Sequence, residues 1–407
     1  MKKIIIVLTI LATSFILSAN LDFFPENPAN YALRNYTHIS FPTMTEFNIA
    51  NTLLVFDDIN IFEEGHHLTE NEKEKLTSGN LDIIGNFNTT FVEFGSKNWN
   101  FYFGVIGSFE LGVLDKTYSE FVFYGNEANE LYETEIGKGS KAFTYWKSSF
   151  AYALPYTVSL GMIPGLFPAD TDNNFISVMR DLPIQVGANL NINYSMQYAG
   201  ILESYQDFGT TPDSAYYDLH AKYGFSDEKT SGRMNPSLGF GLKAQYLDGS
   251  FHFSMDDIFL QLSYRNLAGG RYVKTVSDYL SYLQPDYQSE EWANIENDSL
   301  RIKEETIKFK PSVSIGAEYT FWKKLDVMMK YSSNELTLMD GFVIGAGYQL
   351  GILPLQAKLG FSELNYFNFQ SGLRFSKFEW ISGITFYNGL FRYAKGMGFN
   401  STIDFKF

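Results

Sequence analysis

The chain has 407 residues, no cysteine, 17% aromatic side chains and a formal charge of −15, an acidic balance that excludes a nucleic-acid partner because phosphate binding needs clustered Lys and Arg. Without cysteine there is neither a disulfide framework nor a lipid anchor on an N-terminal Cys. Mean hydropathy is only −0.14, so the abundant apolar side chains have to be spread over alternating strands rather than helical spans.

Residues 1–19 read as a secretory signal peptide. Lys2 and Lys3 precede the apolar run Ile4 to Leu17, which is 14 residues long and shorter than the ~20 that a membrane-spanning helix needs. Ser18 and Ala19 supply the small residues of a cleavage site, and an uncleaved anchor is the alternative. Cleavage takes the formal charge from −15 to −17, since Lys2 and Lys3 leave.

Residues 20–43 form a separate N-terminal segment. In "LDFFPENPANYALRN" (21–35), Pro25 and Pro28 break regular structure, and a short helix-compatible run follows Asn27.

From residue 44 to 407 the pattern is a series of strands. The first two run Phe47 to Val55 and Leu81 to Phe94. The third, "WNFYFGVIGSFELGVLD", sets Trp99, Phe101, Phe103, Val105, Phe109, Leu111 and Val113 on one face, and the fourth, "FTYWKSSFAYALPYTVSL", does the same with Trp146, Phe150, Tyr152, Leu154, Tyr156, Val158 and Leu160. The fifth is the clearest: Ile184, Val186, Ala188, Leu190, Ile192, Tyr194, Met196 and Tyr198 alternate with Gln185, Asn189, Asn191, Asn193, Ser195 and Gln197. Such a run rises ~50 Å, far beyond the strands usual in soluble sheets.

Further strands follow at Leu238 to Tyr246, Ile258 to Tyr264, Val313 to Phe321, Leu325 to Tyr331, Phe342 to Leu350, Leu355 to Phe361, Phe367 to Phe375 and Phe378 to Phe386. The last strand carries Met397, Phe399, Ile403, Phe405 and Phe407 against Asn400, Thr402, Asp404 and Lys406, with Ser401 as an exception on the oily face. This makes about 14, and "YSEFVFYG" (118–125) reads as an extra short strand or an extension of one.

In hydrocarbon every backbone N–H and C=O needs a partner within the protein, so antiparallel strands span only as a closed sheet. The fold class is therefore all-β: a closed antiparallel transmembrane β-barrel of about 14 strands with a short N-terminal plug segment. An exported sandwich or propeller is the alternative. The last strand is expected to pair with the first near Phe47 to Val55. Loop lengths agree with a bacterial barrel, long after odd strands and short after even ones. The exception is 161–183, read as an inward fold, a bend in the wall or a miscount. The largest gap, 267–310, is acidic and Tyr-rich, and reads as a solvated loop or one folded over the mouth.

"ENPANYALRN", followed by these strands, resembles the outer-membrane barrel superfamily of the long-chain fatty-acid transporter (FadL-like) and the PorV-like secretion barrels. The resemblance rests on an Asn-Pro-Ala box at Asn27, Pro28 and Ala29, on "SYRNLAGG" (263–270), and on a last strand closing on Phe. In "ENPANYALRN", "HISFPTM" and "TYWKSSFAYAL" it is most similar to a family of outer-membrane proteins defined as a domain of unknown function. The resemblance implies that the box lies in a segment folded into the lumen, and that Phe399, Ile403, Phe405 and Phe407 form the C-terminal signal read by the barrel assembly machinery. The residues after the box depart from the fatty-acid transporter, so lipid transport is not implied.

The strand phase turns Lys243, Arg265, Glu318, Lys330, Lys358, Arg374 and Glu379 inward. They line a polar channel, or else fill the lumen as ion pairs such as Glu318 with Lys330. Among the five histidines, His66 and His67 lie beside Glu63 and Glu64, a grouping that fits an exposed loop better than a metal site. No metal or other cofactor and no enzymatic activity is expected. The expected function is transport of small solutes or apolar molecules across the bacterial outer membrane, gated by the N-terminal plug. The alternative is a non-conducting barrel that docks envelope or secretion partners.

Overall fold

The computed structural model describes residues 26–33, 36–40, 43–62, 66–125, 129–135, 137–162, 177, 180–211, 214–279, 290–322 and 324–407. Residues 1–19, where a signal peptide is expected, most of 161–183 and the tip of the 267–310 segment lie outside the described residues.

Among the described residues fourteen wall strands follow in chain order, several of them in two pieces. They are β1 (His38–Ser40 and Thr43–Asn51), β2 (Leu81–Ser96), β3 (Trp99–Leu114), β4 (Glu130–Thr134 and Lys141–Ala153) and β5 (Ile184–Thr210). β6 comprises Ser214–Phe225, Ser231–Gly232 and Met234–Tyr246; β7 comprises Gly249–Ile258 and Gln261–Tyr279; β8 comprises Glu290–Lys308 and Ser312–Phe321. β9 (Leu325–Ser333), β10 (Gly341–Leu350), β11 (Leu353–Phe361), β12 (Tyr366–Arg374), β13 (Phe378–Tyr387) and β14 (Gly396–Lys406) complete the wall. All pair antiparallel with their neighbours.

Closure is made where the sequence pattern places it, between β14 and β1. Ile39 faces Phe405 and Ser40 faces Asp404, and further along Phe47 faces Phe399 and Ile49 faces Met397. Thr37 and Phe407 extend the seam by exchanging two backbone hydrogen bonds, Thr37 N to Phe407 O at 3.2 Å and Phe407 N to Thr37 O at 2.8 Å. We call this end the lower rim.

The outer surface is a belt of bare apolar side chains that includes Trp146, Leu190, Phe251, Ile315, Met329, Leu359 and Phe399. On a water-facing surface so continuous a belt would be anomalous; against lipid it is required. Ser401 fits there because the neighbouring Trp380 Nε1 donates to its hydroxyl at 3.3 Å.

β5 to β8 rise well above the belt. β5 has 27 residues, against the ~9 to 11 that suffice to span. Its upper half pairs with β6 from Ser204 and Ala221 to Thr210 and Ala215, and with the first piece of β4. The described parts of 267–310 are largely strand, not loop: Leu267 to Tyr279 of β7 pairs with Glu290 to Ile302 of β8.

Four expectations are corrected. β1 ends at Asn51 instead of Val55, because Asn51 Oδ1 takes the backbone N–H of Leu53 (3.0 Å) and Leu54 (2.6 Å) and turns the chain. The seventh strand crosses as Gly249–Ile258, where Phe251, Phe253 and Met255 alternate with the buried Ser250, His252 and Ser254. The expected strand at 258–264 lies past a break marked by positive φ at Asp257 (54°) and Phe259 (69°). "YSEFVFYG" falls in a helix, α2 (Lys116–Tyr124), which follows a shorter one, α1 (Glu70–Leu76). Asp115 caps α2, its carboxylate accepting from Thr117 N at 2.9 Å and Tyr118 N at 3.3 Å. Finally, Tyr198 points inward and is buried, because a bulge opposite Thr144 and Tyr145 shifts the alternation by one residue.

Deleting Phe407 removes both seam bonds to Thr37. The expected outcome is a lower yield of compact, heat-modifiable barrel in the outer-membrane fraction, while export across the inner membrane is unchanged; an undiminished band would contradict the role given to the seam.

Candidate functional site

The candidate site is the lumen, starting with what fills its lower end. Pro28–Leu33 forms a 3-10 turn against β4, β5 and β6. Asn27 organises it: its Oδ1 accepts from Ala29 N at 3.0 Å, closing the turn, while its Nδ2 donates to Leu242 O at 2.9 Å. Pro28 supplies a preset φ at the first helical position, and Ala29 is fully buried. The wall makes room with glycines. A Cβ on Gly187 would overlap Pro28 and Ala29, and one on Gly241 would overlap the Asn27 amide. Tyr31 packs on Ala151 and Ala153, and its hydroxyl accepts from Asn100 Nδ2 at 3.3 Å.

The sequence-predicted lumen residues divide into separate clusters. Lys243 lies 3.4 Å from Glu318, which also accepts from Ser250 Oγ (2.7 Å) and meets His252 Nε2 at 3.1 Å. His252 Nδ1 faces Asn27 Nδ2 at 3.5 Å. The network therefore assigns the Nε2–H tautomer, with Nδ1 accepting from Asn27 and Nε2 donating to Glu318. Glu318 does not pair with Lys330, as the ion-pair reading had it. Lys330 pairs with Glu26, just before the Asn-Pro-Ala box. Lys358 lies near enough for its charge to act on both Glu26 and Glu46.

Arg374 and Glu379 meet at the lower rim, where Arg374 Nε donates to Glu379 Oε1 at 2.8 Å and a second nitrogen donates to Gln349 Oε1 at 3.2 Å. Lys406 closes on the same carboxylate. Arg265 stands apart. Its side chain is half exposed on β7 above the break, 3.8 Å from Glu304, because Leu262 and Tyr264 take the inward positions there. Phe399 and Phe407 lie bare on the outer face, and Phe405 meets Phe378 edge-on at 5.4 Å. Of the grouping around His66, Glu63 and Glu64 lie outside the described residues; His66 contacts Glu72 at 3.1 Å, in the capping box of α1.

A further buried charge cluster escaped the sequence reading. Lys147 of β4 reaches Asp257 at 2.8 Å and Asp256 at 3.1 Å, directly at the break in β7. Asn189 and Asn191 donate to Asp256 at 2.8 and 2.9 Å, and Ser237 donates to Asp257 at 3.1 Å. The signal was available: Lys147 sits between the lipid-facing Trp146 and Phe150 in the inward phase. His252 was missed because its strand was read as a turn.

A second regularity coats the same surface. Asn48, Asn189 and Asn400 directly face Gly398, Gly239 and Gly383 on the neighbouring strands. In each pair the amide oxygen fills the space of the missing Cβ and has no N–H or O–H donor among the described residues. What it meets is the glycine Cα–H, a weak but recurrent contact.

Above these lie two apolar clusters. One joins Phe143, Tyr145, Tyr198, Leu262, Tyr264, Leu267 and Leu336; the other joins Ala50, Met328, Val343, Leu364, Tyr366 and Tyr387.

No family model matches the chain, and no curated protein matches its sequence. Solved structures similar to it include the monoaromatic hydrocarbon channel CymD, at 10% identity over 96% of this chain and 93% of that one, with a TM-score of 0.42. The Ralstonia pickettii toluene transporter TbuX is also 10% identical over 94% and 92%, with a TM-score of 0.43. A Pseudomonas aeruginosa FadL homologue matches over 93% and 92% at 10% identity, with a TM-score of 0.33.

Gly398→Ala forces Asn48 off its seat and is expected to cost about 1–3 kcal/mol in urea unfolding from vesicles, the usual range for overpacking. In an Asn48→Ala background the same change is expected to cost much less, and equal costs in both backgrounds would refute the pairing. Among the described residues the chain is a closed fourteen-strand antiparallel barrel.

Proposed function

We propose that the protein is a transport channel of the bacterial outer membrane, exported by its signal peptide, passing small solutes or apolar molecules, and gated by the N-terminal segment. The observation that carries this reading is how the lower lumen is filled. Asn27 to Leu33 pairs with no wall strand as a ladder; among its contacts are side-chain hydrogen bonds, a single backbone bond from Asn98 N to Tyr31 O at 3.0 Å and the Glu26–Lys330 ion pair. An element held this way leaves without breaking the wall. In this reading the belt faces outer-membrane lipid, the barrel assembly machinery reads the last strand, and the lower rim is periplasmic.

A second reading, a non-conducting barrel that docks envelope or secretion partners, draws on the pairing of the lumen charges. Lys147, Lys243 and Arg374 each have a carboxylate within 3.4 Å, which suits a permanently filled interior.

Because β1 begins at His38, a barrel starting at Tyr36 keeps its seam and loses only the segment. Single-channel recording is expected to find the full-length protein mostly closed and the shortened one opening at least about tenfold more often. Absence of conductance in both would sink the channel reading.

Burial works to raise the pKa of Glu26, but the charge and hydrogen bond of the Lys330 ammonium, with a backbone hydrogen bond and the more distant Lys358 charge, together hold the carboxyl below its ordinary value. A group with a depressed folded pKa contributes its stabilisation above the ordinary carboxylate range and loses it as pH falls through the lowered value. Full-length channels are therefore expected to open on acidification below that range. Glu26→Gln should abolish the acid step; a step that persists in that variant assigns it to another group.

A further inference from the structure

We propose that the short segment 334–340, between β9 and β10, is a second, upper stopper, seated in the mouth and released independently of the N-terminal segment. The inference rests on the channel reading, because a stopper needs a path to stop.

The sequence "NELTLMD" looks like an ordinary loop, yet it does not project. Leu336 is buried in the cluster that contains Leu262 and Tyr264 of β7, while Leu338 and Met339 pack on the cluster that contains Tyr387 and Ala50. Those anchors lie on well-separated arcs of the wall, so the segment reaches across the mouth. Thr337 Oγ1 points down to Glu46 of β1 at 3.4 Å, and Thr385 Oγ1 of β13 contacts Met339 Sδ at 3.8 Å.

The segment is internally braced. Asn334 Oδ1 accepts from Leu336 N at 2.9 Å, and Thr337 Oγ1 accepts from Met339 N at 3.1 Å. Gly341, with φ of 87°, redirects the chain into β10; a Cβ there would clash with Phe361 O as well as strain the backbone. Glu335 ties the near end to Lys310, accepting from its backbone N–H at 3.2 Å and pairing with its Nζ at 3.3 Å; beyond that tether the braced turn is held by apolar contacts and by the Thr337 and Met339 contacts, and it moves as a unit. The wall hydrogen bonds of β9 with β10 do not include it: their pairing runs from Leu325 with Tyr348 to Ser332 with Gly341.

The test uses the absence of cysteine in the chain. Thr337→Cys and Glu46→Cys are combined in the barrel that starts at Tyr36 and joined by a short bifunctional thiosulfonate; a gel shift reports the link, and recordings are made before linking, after it and after reduction. Each single-cysteine variant serves as a control.

The expected result is efficient linking, loss of at least about nine-tenths of channel openings, and recovery on reduction. Linking with unchanged openings would overturn the stopper and leave the channel reading intact. Failure to link, with both single variants reacting, would overturn the seating in the mouth. A variant in which 335–339 are replaced by glycine and serine is expected to open more often than its parent. Absence of conductance in every form, this one included, would overturn both the stopper and the channel reading, while the gel shift still reports where the segment sits.

Discussion

The rest of the molecule depends on one requirement: a backbone that crosses hydrocarbon must satisfy every N–H and C=O from within. Fourteen strands meet it only if β14 returns to β1, and the seam from Thr37 and Phe407 up to Ala50 and Gly396 does this. Closure then fixes the two surfaces. Along the spanning strands the bare apolar side chains turn to lipid, and most polar ones turn to an interior with a finite number of places.

That interior handles charge by pairing it. Burying an ion is costly unless its partner and further hydrogen bonds are in place, and Lys147 has two carboxylates that three neutral side chains also satisfy. The cluster has a structural consequence: it pins the point where β7 breaks, so the upper half of that strand is redirected from a fixed place. Glu318 is the corresponding hub lower down. Through His252 it connects a wall charge pair to Asn27 of the N-terminal segment.

The glycines on the inner face belong to the same economy of space. Where Gly187 and Gly241 face the N-terminal segment, the missing Cβ lets a backbone approach the wall; where Gly398, Gly239 and Gly383 face asparagines, it lets an amide lie flat on the sheet. Both uses thin the lining, one for the N-terminal segment and the other for a polar coat. Above this coat the lumen turns apolar, where Tyr264 and Tyr387 are wholly buried in the two upper clusters.

Period and length in the sequence by themselves determined the strand count, the seam and the outward belt, since alternation over such distances has one physical use. They also set Lys243, Glu318, Lys330, Arg374 and Glu379 on the polar phase. Only the tertiary structure decided who pairs with whom, because ion pairs form across strands whose register and curvature no local pattern records. Lys330 took Glu26 from a segment some 300 residues earlier, as its separation of 304 positions shows, and left Glu318 to Lys243 and His252. Alternation also fails wherever a bulge or a left-handed residue inserts a step. One such step turned Tyr198 inward, and past the break at Asp257 and Phe259 Arg265 no longer lies in the inward phase. Such irregularities cost little locally and are decided by what they bury at a distance, which is why the closures of this lumen had to be seen in three dimensions.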